Sequence, residues 1–356
     1  MNVISVIITI VVAFGVTVGS GFVIIPWLKK LKFGQTILDI GPSWHKSKQG
    51  TPNMGGLMFI FGIIVSFIIG ALTLHFSGGS LESESAKIFA GRDVVLLIAG
   101  LCLALGCGIV GFTDDYTKIK LKRNEGLSPK QKTLGQLIMT FGYTLTLWLS
   151  HNTVWYIPFI GNVDFEKNLF TSVVFWLVSI FIIYGCVNSV NLTDGIDGLC
   201  SSVTATVAIT FIIAAVIMKF AGLGILSGAL LGGVLGFLCW NWNPAKTFMG
   251  DTGSLFLGGL VVALGYAIKC PLLLLPIGIV YVCETMSDII QIGYFKITHG
   301  KRIFKMAPIH HHFEMCGWKE KKICVVFSLV NAVGCAIALL LTVSYTHLTL
   351  PTKLEV

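Results

Sequence analysis

The sequence predicts an all-α, polytopic membrane protein. Three observations predict it. Hydrophobic residues make up 54% of the 356-residue chain and charged residues 12%, about half the charged share of an average soluble domain. The mean hydropathy is +0.84. Apolar runs of about 20 residues, the length a membrane helix needs, recur along most of the chain. Too few polar residues remain to cover a soluble globule, and the same composition excludes a disordered chain. The 40 glycines suit helices that approach one another closely in lipid.

Ten spans are predicted, over 3–28, 54–77, 94–113, 134–152, 169–188, 199–218, 221–240, 252–269, 271–295 and 323–345. The first is not a cleaved secretory signal. No basic segment precedes it, and its first lysine, Lys29, lies on the far side. The ninth has the weakest apolar character, because it carries Glu284 and Asp288. With ten spans the loops alternate between two faces. Loops 29–53, 114–133, 189–198, 241–251 and 296–322 hold 19 of the 25 Lys and Arg residues. Such an excess marks the cytoplasmic face, which puts both termini outside the cytoplasm. Without the ninth span, loop 296–322 and its seven basic residues would move to the outer face. The asymmetry therefore supports counting it. Residues 1–344 read as a single integral-membrane domain. The polar tail 345–356 reads as an appended remnant and carries no functional weight.

The net charge of +8 follows from this topology, and nothing in the sequence supports nucleic-acid binding. The ten cysteines are scattered, mostly in apolar runs where Cys acts as a small hydrophobe. No C-x-x-C pair occurs, so neither a disulfide framework nor a zinc site is predicted.

The polar clusters all fall in the loops assigned to the cytoplasm: KQGTPNMGG (48–56), DDYTKIKLKRN (114–124), NSVNLTDGIDG (188–198), NWNPAKTFMGDTGS (241–254) and APIHHHFE (307–314). A transporter would place polar groups at the midplane, in broken helices and repeated halves. A one-faced cluster instead suits an enzyme that draws a soluble substrate from the cytoplasm.

Asp114 and Asp115 end the third span. They read either as a solvated helix-end pair or as metal or base chemistry. Lys118, Lys120, Lys122, Arg123, Lys130 and Lys132 follow, a mix that suits a metal-bound phosphate ester. Asn188, Asn191, Asp194 and Asp197 recur every third residue, which places them along one slowly drifting helical face. A capping turn would explain one of these acids, as N-cap of the sixth span, but not four residues. Asp251, in MGDTGS, reads as a cap of the eighth span or as a ligand beside an anion-binding helix end. His310, His311 and His312 lack the i, i+4 spacing of a zinc pair and read as anion-binding. Glu284 and Asp288, one turn apart, are either a functional pair or solvated groups on a projecting helix.

Hard cations such as Mg²⁺ prefer oxygen ligands and bind one or two carboxylates plus substrate phosphates. Asp114, Asp115, Asp194, Asp197 and Asp251 supply such a pool. The residues thus point to a Mg²⁺-dependent phosphotransferase at the cytoplasmic membrane surface with a lipid acceptor.

At this point the chain resembles a known family, the polyprenyl-phosphate N-acetylhexosamine-1-phosphate transferases. KxGTPxMGG (48–56), GFxDDYxK (111–118), NLTDGIDGL (191–199), FMGDTGSL (248–255) and RIFKMAPIHHHFE (302–314) carry the resemblance, which covers residues 1–344. The GTPxMGG and HHHFE loops resemble its phospho-N-acetylmuramoyl-pentapeptide transferase branch. Members often carry Thr where this chain has Asn53.

The resemblance implies transfer of phospho-N-acetylmuramoyl-pentapeptide from UDP-N-acetylmuramoyl-pentapeptide to undecaprenyl phosphate, giving lipid I and UMP in peptidoglycan synthesis. The alternative is a sister enzyme that uses UDP-N-acetylglucosamine. It further implies Mg²⁺, a homodimer, the bacterial cytoplasmic membrane, and inhibition by nucleoside antibiotics of the tunicamycin type. Asp251 and Asp115 become the expected metal ligands. Asp114, Asp115, Asp251, His310 and His311 become the expected catalytic set, with Asp114 orienting or deprotonating the acceptor. Lys48, Asn53, Lys118, Lys122, Lys130, Asn188 and Asp197 are expected to bind substrate, as is His312. Asn191, Asp194, Asn241 and Phe248 would shape the nucleotide pocket, Phe248 by stacking on the base.

Overall fold

The computed structural model describes residues 3–31, 48–82, 93–121 and 125–349, with side chains through residue 342. Twelve helices and one hairpin follow in chain order: α1 (Val3–Lys30), α2 (Gly56–Phe76), α3 (Asp93–Lys120), α4 (Pro129–Leu149), β1 (Val154–Ile157), β2 (Gly161–Asp164), α5 (Leu169–Thr193), α6 (Leu199–Ile217), α7 (Ala221–Asn241), α8 (Gly250–Ala267), α9 (Leu274–Ile277), α10 (Ile279–Ile297), α11 (Ile309–Met315) and α12 (Glu320–Thr349). This is the architecture of an all-α polytopic membrane protein. Among the described residues, eight helices are long and apolar enough to span a membrane, or nine if the bent pair around Gly278 is one span.

Local chemistry starts two of these helices visibly. Ser128 accepts from the Gln131 backbone N–H while the Gln131 side chain accepts from the Ser128 backbone N–H, with Pro129 at the first helical position. Asn168 and Thr171 form the same reciprocal box ahead of α5. Each box satisfies two backbone donors that a helix start leaves open.

Helices occupy the stretches expected to span, with four differences. α4 is a regular helix, but Lys130, Gln131, Lys132 and Gln136 make its first turns too polar for it to count by composition. The ninth stretch is broken: Pro271–Ile277 and Ile279–Ile297 meet at 83°. Asn331 of α12 closes this break, donating to the Ile277 carbonyl at 3.0 Å and accepting from the Val280 N–H at 3.3 Å. The connection 153–168 between two predicted spans folds into the antiparallel β1–β2 hairpin. Its Trp155 and the following Phe165 pack with Phe175 of α5. Finally, α12 continues to Thr349, so the start of the tail at 345 does not end a helix. Nothing before Pro351 lacks the backbone donor that helix propagation needs.

The centre of the bundle is α8, buried from Thr252 to Ala267 and packed by α3, α5 and α2. Small residues make that packing possible. A Cβ on Gly259 would lie 2.7 Å from the Ala104 Cα of α3. A Cβ on Gly111 of α3 would overlap the Asp251 carbonyl. Contact between backbones is what holds helices together where lipid offers no hydrophobic contrast.

Gly259→Val should lower the thermal unfolding midpoint of the detergent-solubilised protein, through an overpacking cost of about 1–3 kcal/mol. Gly15→Val, at a position with open space around it, should leave the midpoint within error.

Candidate active site

The C-terminal ends of α3 and α5 meet the N-terminal ends of α4 and α8. Asp114 and Asp115 come from α3 and both are buried. Asp251 comes from the first turn of α8. One carboxylate oxygen from each of the three lies within 4.8 Å of the others. This resolves the two readings of Asp114 and Asp115: they are not a solvated helix end. Asp251 does not cap α8 either, since the capping position is Met249 and makes no side-chain bond.

Like charges this close must be offset. Lys118, one turn after Asp114 on α3, pairs with Asp114, reaches Asp251 at 2.9 Å and stands 3.8 Å from Asp115. Lys132 of α4 reaches the same Asp251 oxygen at 2.9 Å. Thr252 donates to Asp115 from its backbone N–H at 2.9 Å and from its hydroxyl at 2.7 Å. Asn53 donates to Asp115 at 3.2 Å. Asn191 of α5 donates to Asp251 at 2.8 Å. The positive end of the α8 dipole favours Asp251 in the same way. The Leu127 N–H donates to Asp114 at 2.8 Å.

The donor set suits a hard divalent cation: three carboxylates, with the Asn53 carbonyl oxygen beside them buried and, among the described residues, without a hydrogen-bond partner. A Cβ on Gly250 would stand 2.5 Å from that oxygen and 2.6 Å from Asp115 Oδ2. Gly250 also has a φ of 68°, in the left-handed region that glycine occupies without strain.

The Asn188–Asp197 stripe does not stay on one face. α5 ends at Thr193, and Gly195 and Gly198 turn the chain away, Gly198 with a φ of 80°. Asn188 donates to Gln136 of α4 at 2.9 Å. Asn191 joins the aspartate cluster. Asp194 becomes the C-cap of α5 and is half-buried. Burial holds its carboxyl well above the usual range, and the charges of Asp251, Asp115 and Asp197 push the same way. Neither Asp194 nor Asp197 is the N-cap of α6; Gly198 is.

Asp197 anchors a second polar cluster. Lys48 reaches Asp197 and Glu320 of α12, both at 2.7 Å. The Ala245 N–H donates to Asp197 at 2.9 Å, and Asn243 donates to Glu320 at 3.0 Å. Burial lowers the Lys48 pKa, but the two carboxylates outweigh it and raise the ammonium above its ordinary value. Asn241 braces the same region from within, donating to the Thr247 carbonyl and accepting from the Gly198 N–H. Phe248 is half-buried, its backbone bonded to Pro52 and Gly55.

The histidines have separate anchors. His310 is fully buried against Glu284. His311 Nδ1 pairs with Glu314 at 2.6 Å, and His312 Nδ1 accepts from the Lys305 N–H at 3.1 Å. Glu284 is fully buried, which overturns its reading as a solvated group; Asp288 is half-buried. Lys130 is exposed, and its neighbour Lys132 reaches the aspartates instead. Lys122 lies outside the described residues. Sequence reasoning passed over Thr252, Ser254, which accepts from Asn191 at 2.7 Å, Asn243 and Glu320. The first three stand inside the polar stretch 241–254, and no pattern pointed to Glu320.

A bundle with this cluster of carboxylates and ammonium groups at its helix ends defines a membrane-embedded transferase, and the comparisons agree. The family model for glycosyl transferase family 4 matches residues 96–269. A phospho-N-acetylmuramoyl-pentapeptide-transferase of Carboxydothermus hydrogenoformans is 44% identical over 91% of this chain and 94% of its own length. Those of Desulforamulus reducens and Listeria welshimeri are each 43% identical, over 91% and 93% of this chain and 93% and 96% of their own lengths. The chain belongs to the phospho-N-acetylmuramoyl-pentapeptide transferase family.

Lys48→Met should destabilise the protein by about 3 kcal/mol, because it leaves buried Asp197 without its cation. Thermal unfolding in detergent checks this. Lys130→Met, at an exposed position, should shift the midpoint by no more than about 0.5 kcal/mol.

Proposed function

We propose that this chain transfers phospho-N-acetylmuramoyl-pentapeptide from its UDP derivative to undecaprenyl phosphate, releasing UMP and forming lipid I. The observation that carries this reading is the joint cluster of Asp114, Asp115 and Asp251 with Lys118 and Lys132 at one end of the bundle. All ten stretches cross the bacterial cytoplasmic membrane, α4 and the bent pair included. The cluster then faces the cytoplasm and both termini lie outside it. Residues 1–344 form one integral-membrane domain, the chain acts as a homodimer, and nucleoside antibiotics of the tunicamycin type inhibit it.

Both reactants are anionic, so electrostatic repulsion dominates the barrier. Asp251 and Asp115, with Asp114 beside them, would hold Mg²⁺, which would supply positive charge against the diphosphate. Lys118 and Lys132 are placed to pass from carboxylates to phosphate oxygens as substrate enters. A phosphate monoester has a second pKa near ~6, so the acceptor needs little deprotonation, and Asp114 orients it. Direct attack of the lipid phosphate is preferred over a phospho-Asp251 intermediate. Asp251 has one oxygen held by Asn191, and the other would be engaged as a metal ligand, which leaves it a poor nucleophile. Asn191, Asp194 and Phe248 shape the nucleotide pocket. Asn241 and Asp197 brace it, and Lys48, Asn53, Lys122, Lys130, Asn188, His310, His311 and His312 contribute to substrate binding around it.

Purified protein should release UMP with Mg²⁺, undecaprenyl phosphate and UDP-N-acetylmuramoyl-pentapeptide, and not with EDTA. UDP-N-acetylglucosamine in place of the pentapeptide sugar should give no release; release with that sugar alone would move the chain to the sister reaction. Asp251→Asn should abolish turnover in a folded protein, and normal activity would break the metal assignment. A single-turnover assay without lipid should show no burst of UMP, and a burst would establish the covalent route instead.

A further inference from the structure

The transfer as described gives no role to Glu284, which is buried against His310. Glu284 of α10 and His310 of α11 are both fully buried. His310 Nδ1 lies 2.9 Å from Glu284 Oε2, and the His310 backbone N–H points at the same oxygen from 3.4 Å. The ring therefore donates from Nδ1 to the carboxylate. Among the described residues, His310 Nε2 and Glu284 Oε1 are buried without a hydrogen-bond partner. Leaving a buried polar atom unpaired is costly, so a fold that keeps one on each member of this pair points to a partner that arrives from outside.

The surroundings say where that partner enters. Nε2 looks across Gly195, the residue after Asp194, and a Cβ there would overlap it. Gly195 is thus required for the clearance of His310. The Glu284 backbone is fixed from both sides: Thr285 donates to Ser189 of α5 at 2.7 Å, and Ser287 donates to the Glu284 carbonyl at 2.6 Å. His311 and His312 are only half-buried, and each is anchored elsewhere.

We propose that Glu284 is a positioning residue for the transfer. It holds His310 with Nδ1–H directed at the carboxylate and leaves Nε2 aimed past Gly195 to donate to a phosphate oxygen of the nucleotide sugar. A carboxylate behind an imidazole commonly sets which nitrogen serves the substrate. No bond forms or breaks on either residue. This role rests on the transferase reading above.

The test is the UMP-release assay on the full-length protein, with Glu284→Gln, His310→Gln, their double variant and Gly195→Ala. Glu284→Gln keeps a hydrogen-bond acceptor and removes the charge. It should lower kcat about ten- to hundredfold and change the KM for undecaprenyl phosphate much less. In the His310→Gln background it should add no further loss. An equal loss in both backgrounds would make Glu284 a residue of the fold alone and overturn the proposal, as would full activity of Glu284→Gln. Gly195→Ala displaces His310, and its loss should vanish in the His310→Gln background. If Glu284→Gln does not fold, Glu284→Asp, which keeps the charge and draws it back from Nδ1, decides the matter: its loss should likewise vanish in the His310→Gln background, and additive losses would overturn the proposal. A folded wild-type chain that releases no UMP would instead overturn the transferase reading, and this role with it.

Discussion

Three carboxylates confined at the ends of membrane-packed helices are the constraint on which the rest of the structure depends. Together they repel one another, and at the edge of a low-dielectric interior the repulsion is strong. The fold answers with two ammonium groups, a backbone N–H, a threonine hydroxyl and two asparagine amides directed at the same few oxygens. These donors come from five separate parts of the chain. They converge only because α3 and α8 lie nearly backbone to backbone, which the glycines between them allow. The electrostatics of the site and the packing of the bundle are therefore one problem. Widening the α3–α8 gap would separate Asp115 from the Thr252 groups that hold it.

The two polar clusters divide the labour. The aspartate cluster keeps charge available, with Asp251 still partly open to solvent. The Lys48–Asp197–Glu320 cluster is closed on itself and ties the Gly198 turn, the Asn243 loop and the start of α12 into one block. Asp197 stands three residues after Asp194, yet it has cation and amide partners where Asp194 has only the field of its neighbours. The difference comes from the two glycines, which end α5 and reverse the chain between them.

The membrane class was legible because it rests on composition and run length, quantities that need no geometry. The adjacent pair Asp114–Asp115 and the MGDTGS motif announced themselves as residues too polar for their place. The stripe from Asn188 to Asp197 was misread in shape, since a three-residue spacing implies one face only while the helix lasts. Lys132 could not be told from Lys130, because which of two lysines turns inward depends on where α4 starts and how it packs. Glu320 was invisible, as a lone acid in a basic loop carries no pattern. The hairpin was missed because its Trp155 and Phe165 are buried by tertiary contacts with α5, which no local alternation records.

The bend at Gly278 has a wider meaning. A polypeptide that turns through 83° within a bundle exposes backbone groups that lipid cannot satisfy. One amide, Asn331, meets those groups on both sides of the turn, and it belongs to α12. The helix that carries Glu284 is thus hinged to the last long helix of the chain at its far end. At its near end the Glu320 turn of that same helix grips the Asp197 block. α12 therefore acts as a strut between the two, so the spacing of the Glu284–His310 pair from the Asp197 block is set by a helix whose described side chains form no hydrogen bond or ion pair with the three aspartates.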